Sequence, residues 1–214
     1  MRCALREPAG WTHRSGQRPN VPRPSQRAAI VDAALRCFAE LGYDATRVKH
    51  IADKAGVAES ALYRHFPSKE AIAQELYAEF LHSYAEKLLN LASSDQKPEA
   101  KLRALVALIL DTYREEPDGF VFVLFNTSRR LPSLPAGTVY PLDVIESIIA
   151  EAQAAGVVRE GQTNLLAAIL LGAVQQPVVL ATLGRPGALN LLGDRGYDVI
   201  ITEAALAAVG RTPC

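Results

Sequence analysis

The sequence predicts an all-α protein, with a small three-helix unit near the N-terminus and a larger helical unit behind it. Three observations carry that expectation. Apolar residues recur at helical spacing through most of the 214 residues. Serine, threonine, proline and glycine sit where such segments would start and stop. A single stretch, Phe120 to Thr127, has strand-like composition, and an isolated strand would have nothing to pair with, so it too is expected to be helical.

The first helix is expected from about Gln26. Ile30, Ala33, Ala34, Cys37, Phe38 and Leu41 form one apolar stripe, and Gly42 follows where a left-handed C-terminal cap belongs. Thr46 starts a second, shorter helix with Val48, Ile51 and Ala52 inward, closed by Gly56. The third runs from roughly Ala58 to His65, with Ala61, Leu62 and Phe66 placed to pack, and Pro67-Ser68 ends it. Ser68 then caps a fourth helix that continues to about Leu91 through Ile72, Leu76, Phe80, Tyr84 and Leu88.

Further helices are expected over about 99–114, 120–127, 141–155, 163–183 and 194–209, with a proline-rich loop at 131–137. The segment LLAAILLGAVQQPVVLATL carries 19 residues without a charge, long enough to span a membrane. Gln175, Gln176 and Pro177 near its middle, and the lack of a flanking basic cluster, argue for a buried helix and no membrane partner.

Two short helices joined by a glycine-containing turn over a shared core form a helix-turn-helix, whose second helix enters the major groove of DNA. Here that is the third helix, with Glu59, Ser60, Tyr63, Arg64 and His65 outward. Tyr63 and His65 suit phosphates, Arg64 suits a phosphate or a guanine edge, and Lys69 sits at a helix N-terminus that favours an anion. The DNA-contacting set is expected to be Thr46, Arg47, Lys49, Ser60, Ala61, Tyr63, Arg64, His65 and Lys69.

The segment resembles the N-terminal domain of TetR-family transcriptional regulators. It matches the family pattern at Thr46, Ile51, Ala52, Ala55, Gly56, Val57, Leu62, Tyr63, Phe66, Ser68, Lys69 and Glu70. It departs at Arg47, Ala58 and Ser60, where a second Thr, a capping Ser and a Gly are usual, and Glu59 puts a negative charge near the DNA backbone; Ala58 in place of Ser forgoes a cap worth about 0.5–2 kcal/mol. The resemblance implies phosphate contacts at Tyr63 and Lys69. It also implies a sequence-specific regulator, a repressor released from its operator by a small-molecule effector, acting as a homodimer through the last two helices (about 163–183 and 194–209).

By the same resemblance, residues 25–71 would form the DNA-binding domain and 72–214 the effector-binding and dimerisation domain. Phe80, Tyr84, Tyr113, Phe122, Phe125, Tyr140 and Gln176 are the candidate effector-pocket residues, and Arg129-Arg130 is either an anion site or a solvated pair. The rival readings are a non-specific architectural DNA-binding protein and an enzyme using the helical cavity.

Charge distribution agrees with a nucleic-acid partner at the N-terminus. The chain is neutral overall, yet residues 1–70 carry 12 Lys/Arg against 7 Asp/Glu, and residues 71–214 carry 11 against 16. Residues 1–24 read as a disordered basic arm, either reaching a minor groove or remaining a solvated tail. Cys3, Cys37 and Cys214 are dispersed, which excludes a disulfide framework and a cysteine metal site and fits the reducing cytoplasm. No nucleophile elbow, phosphate loop or dinucleotide glycine pattern occurs, so neither an enzyme nor a cofactor nor a metal is expected.

Overall fold

The computed structural model describes residues 25–125, 138–182 and 189–211. Among these, the chain forms helices α1 (Gln26–Leu41), α2 (Val48–Ala55), α3 (Glu59–His65), α4 (Lys69–Ala92), α5 (Pro98–Glu115), α6 (Pro117–Phe125), α7 (Pro141–Ala154), α8 (Thr163–Thr182) and α9 (Gly196–Val209). The only β pairing among the described residues is an isolated bridge between Val158 and Gly210, which ties the loop after α7 to the end of α9.

Helix ends follow local chemistry. Ser25 Oγ accepts from the Ala28 amide and Ser68 Oγ from the Ala71 amide, satisfying donors that the first turns leave free. Gly56 adopts φ 68, ψ 33, the left-handed cap a side chain would resist. Gly42 also has a positive φ of 79, but with ψ 155 it turns the chain away in extended form instead of making the expected left-handed cap. Leu41, expected on the apolar stripe, is half-exposed at the helix end. Helix α2 starts one residue later than expected, with Arg47 and not Thr46 as its N-cap. The strand-like segment is helical, beginning at Pro117, whose fixed φ and missing N–H suit a first helical turn. The arm 1–24, the loop 131–137, Arg129-Arg130, Cys3 and Cys214 lie outside the described residues.

Two apolar clusters result. The first gathers Ile30, Ala34, Phe38, Ile51, Leu62 and Phe66 of the N-terminal unit with Ile72, Ala73 and Leu76 from the start of α4. The second is formed by the rest of α4 with α5, α7, α8 and α9 around Leu88, Leu105, Ile109, Ile149 and Leu170. Fully burying each Leu, Ile or Phe among them contributes about 1.5–3 kcal/mol before the cost of ordering the chain. α8 is long and apolar enough to cross a membrane by length and composition. It packs Leu166, Ala167, Leu170, Val174 and Val178 into the second cluster, while Leu165, Ile169 and Leu180 stay exposed, so one face of the helix is buried and not the whole of it as expected. Pro177 stands inside α8 without ending it.

Two basic side chains cross-link this body. Lys101 Nζ is almost wholly enclosed and donates to Ala92 O at 2.8 Å and to both Glu151 oxygens at 2.9–3.0 Å, joining α4, α5 and α7. Arg114 donates to Leu191 O at 2.9 Å and pairs with Asp198, fastening α9 to α5. Lys101→Ala would leave the Ala92 carbonyl unsatisfied and Glu151 unpaired. It is expected to cost about 1–3 kcal/mol, read as a lower urea midpoint with an unchanged slope.

Candidate nucleic-acid interface and internal cavity

α3 is a seven-residue helix positioned by its neighbours. Leu62 is fully buried and Phe66, its C-cap, is nearly so, which seats the helix on α1 and α2. Its N-terminus has no side-chain cap at Ala58, as the sequence implies. Glu59 lies in the first turn and Arg64 and His65 in the last, each favourably placed for the helix dipole. Arg47, Lys49, Ser60, Tyr63, Arg64 and His65 are exposed and Ala61 is half-buried. Tyr63 is 50% exposed, with its ring left open by the described residues.

Three of the expected contact residues are engaged within the protein. Thr46 is buried, and its hydroxyl lies 2.7 Å from Gly42 O and 3.1 Å from Cys37 O. It closes the α1–α2 turn, its hydroxyl committed to these two carbonyls and enclosed by the protein. Lys69 Nζ donates to Tyr43 O and Thr46 O, both at 2.8 Å, and stands 4.3 Å from the centre of the Tyr43 ring. His65 Nε2 lies 3.1 Å from Gln26 Oε1, so the α3 C-terminus is held to the start of α1. Arg27 strengthens the same seam, 4.7 Å from the Phe66 ring centre and paired with Glu75 of α4. Gln26, Arg27 and Tyr43 were not foreseen from the sequence, since only tertiary placement brings them to these partners.

Electrostatics near this seam are modest. The Glu70 carboxyl is held below the ordinary carboxylate range, chiefly by its own backbone N–H, then by the Ser68 hydroxyl, with Tyr43 donating at 3.3 Å. Its stabilisation is present above the unfolded pKa and is lost as pH falls through the lowered value. Burial pushes the Cys37 thiol up, leaving it neutral inside the head.

A cavity of about 550 Å³ opens between α4, α6, α7 and α8. Tyr77, Phe80, Leu81 and Tyr84 of α4 form one wall, Phe120 and Val123 of α6 another, and Tyr140, Leu142, Ile145, Leu171 and Gln175 the remainder. Phe80, Tyr84 and Tyr140 line this cavity, and burial pushes the phenols of Tyr84 and Tyr77 up, keeping them neutral donors. Gln176, Tyr113 and Phe122 do not line it. Gln175 lines the cavity while Gln176 is exposed, a 100° turn away on α8. Tyr113 is core, edge-on to Phe120 at 5.8 Å. Phe122 points the opposite way into the head, and the Phe125 side chain lies outside the described residues. A second cleft of about 510 Å³ lies where α1 meets α4 and α6, lined by Arg27, Asp32, Glu75, Glu79, Glu116 and Phe122 among others. Among the described residues no group of His, Cys, Asp and Glu could hold a metal ion.

A helix-turn-helix head seated on a helical body with an internal cavity is the build of a helix-turn-helix regulator. Residues 30–76 match the model of the bacterial regulatory proteins of the tetR family. The chain belongs to that family. The HTH-type transcriptional repressor KstR2 of Rhodococcus jostii is 38% identical over 84 residues, 39% of this chain and 41% of the relative. The curated relatives are matched over only part of their length, 55% for KstR2 of Mycobacterium tuberculosis.

Solved structures extend the likeness to the body. The ketosteroid transcriptional regulator KstR2 of Mycobacterium tuberculosis superposes with a TM-score of 0.70 at 21% identity, covering 89% of this chain and 97% of that one. FadR from Bacillus subtilis, solved in complex with stearoyl-CoA, gives 0.63 at 20% identity, covering 85% and 98%. At these identities the likeness is one of fold.

The Thr46 geometry is directly testable. Thr46→Val keeps the shape and removes the donor, and is expected to lower stability by about 1–3 kcal/mol in urea unfolding while leaving the DNA affinity of the folded protein unchanged. A weaker DNA affinity with unaltered stability would return the side chain to the DNA surface.

Proposed function

We propose that this protein is a homodimeric, sequence-specific transcriptional repressor, working in the cytoplasm and released from its operator when an apolar small molecule fills the cavity between α4 and α8. The observation that carries the reading is that α4 belongs to both parts: Ile72, Ala73 and Leu76 pack in the head, and Tyr77, Phe80, Leu81 and Tyr84 wall the cavity. The repressor names of curated relatives support it. On this reading residues 25–71 read DNA and 72–214 bind the effector and dimerise, and the protein has no catalytic role. Arg64 reads a base edge, Tyr63 donates to a phosphate, and Arg47, Lys49, Ser60, Ala61 and His65 line the same DNA face. Lys69 acts on DNA through the turn it holds, with phosphate contact by its remaining N–H.

Effector class follows from the cavity wall. No Lys or Arg stands among its described lining residues, and Tyr77, Tyr84, Tyr140 and Gln175 supply a few hydrogen-bonding groups over an apolar surface. A steroid or long acyl chain fits that chemistry, in line with the ketosteroid and stearoyl-CoA descriptions of the two fold relatives. The second subunit would cover Leu165, Ile169 and Leu180 of α8 and Val199 and Ile200 of α9, all exposed here. Two heads so joined must lie about 34–36 Å apart, or a multiple, to read successive half-sites.

Fluorescence anisotropy against DNA from upstream of the coding region, with a shuffled competitor, should show a preference of about 10³-fold or more. Equal, steeply salt-dependent binding to both would instead make this an architectural DNA-binding protein. Tyr63→Phe should weaken binding to every sequence alike, whereas Arg64→Ala should flatten the preference at one base pair, worth about 1–3 kcal/mol there. Replacing Val199 and Ile200 together by Glu should give a monomer in sedimentation velocity that has lost operator affinity. A dimer unchanged by that pair would place the interface elsewhere.

A further inference from the structure

The geometry points to Phe122 as the residue that transmits occupancy of the cavity to the DNA-reading head, an inference that rests on the proposed repressor function. α6 presents two faces to two different places. Phe120 and Val123 line the cavity, Phe120 edge-on to Phe80 at 6.3 Å between ring centres. Phe122, 1% exposed, instead enters the apolar cluster of the head and stacks on Phe38 of α1 at 5.3 Å and 18°. Val123 packs against both clusters.

A cleft of about 510 Å³ lies beside Phe122 where α1 meets α4 and α6, but on the cavity side α6 is closely held. Gly119 lets α6 lie hard against α4, since a Cβ there would come within 2.9 Å of the Phe80 ring. A ligand that displaces Phe120 therefore moves a short helix whose next buried aromatic is part of the head's packing. Phe38 in turn lies 5.3 Å from Tyr43, the ring beneath Lys69, so a shift of α1 reaches the turn that precedes α2. Close-packed interiors respond to such displacements by switching between arrangements, not by compressing.

α4 is the competing route, because it too touches both cavity and head. A packed chain of residues does not by itself establish coupling, and a double-mutant cycle does. Leu171→Trp adds bulk to the cavity as a fixed occupant, with Leu142→Trp as a second filler should the first unfold. Phe122→Leu keeps the head core filled while removing the stack. Each is made alone and combined in the full-length protein, with thermal unfolding as a control.

Two readouts are followed: hydrogen exchange of α1 amides, and operator affinity by anisotropy. The filler alone should change α1 exchange by about 5-fold or more and operator affinity by about 10-fold, and in the Phe122→Leu background both should shrink below about 2-fold. Equal filler effects with and without Phe122 would overturn the proposal and assign transmission to α4. So would a filler that leaves α1 exchange unchanged in the parent protein. If α1 exchange follows the filler through Phe122 while the parent shows no operator preference, the coupling stands and the repressor reading fails.

Discussion

One uninterrupted helix buried in two cores is the constraint on which the rest of this structure depends. α4 runs 24 residues from Lys69 to Ala92. Its first turns complete the head, which α1, α2 and α3 cannot fill alone, and its later turns form a wall of the cavity and a seat for α5 and α7. A helix transmits position along its axis because every internal N–H and C=O is already committed. The first turns of α4 therefore fix one point at which the head is held to the body. Phe122 adds a second fixed point, away from the α4 axis, and two points of attachment define an orientation that one would leave free to swivel.

The head needs such support because its reading helix is weak on its own. Seven residues without a side-chain cap fall far below the length at which an isolated helix persists in water. Leu62 and Phe66 supply the packing, and polar ties at both ends supply direction. Lys69 satisfies two carbonyls of the α1–α2 turn, Thr46 two more, and the Gln26–His65 and Arg27–Glu75 contacts hold the far end of α3 to α1 and α4. Several of these ties use residues of types that also meet phosphates. Residue type alone thus does not separate DNA contacts from internal ties in a small domain, where carbonyls of tight turns compete for the same donors.

Local rules were legible where one helix face or one turn decided the outcome. The α1 stripe up to Phe38, the Gly56 cap, the Ser68 cap and the missing cap at Ala58 need only neighbours within a turn, and each is found where the residues imply. The helical state of FVFVLF was legible for a global reason, the lack of any partner strand. Side-chain destination was legible less often. Phe80, Tyr84 and Tyr140 reach the cavity, but Phe122 and Tyr113 are equally aromatic and go elsewhere, because the rotation of α6 and α5 about their axes is set by packing against α1 and α4. Gln175 and Gln176 are adjacent in sequence and differ in fate for the same reason. Composition names the candidates, and only the phase of each helix assigns them.

Charge and apolar surface divide the labour in a way that bears on regulation. Basic residues concentrate before residue 71, while the body is acidic and spends its best-buried cations, Lys101 and Arg114, on tying α4, α5, α7 and α9 together. The described cavity wall is left without a cation and with neutral phenols, so ligand discrimination there must come from shape and a few hydrogen bonds. An apolar ligand held this way binds by area, and area alone favours neither pose of the head. Its leverage can only be the difference in contact it makes with the two positions of α4 and α6. The walls that these two helices contribute, Phe80 and Tyr84 on one side and Phe120 on the other, are the surfaces where that difference must arise.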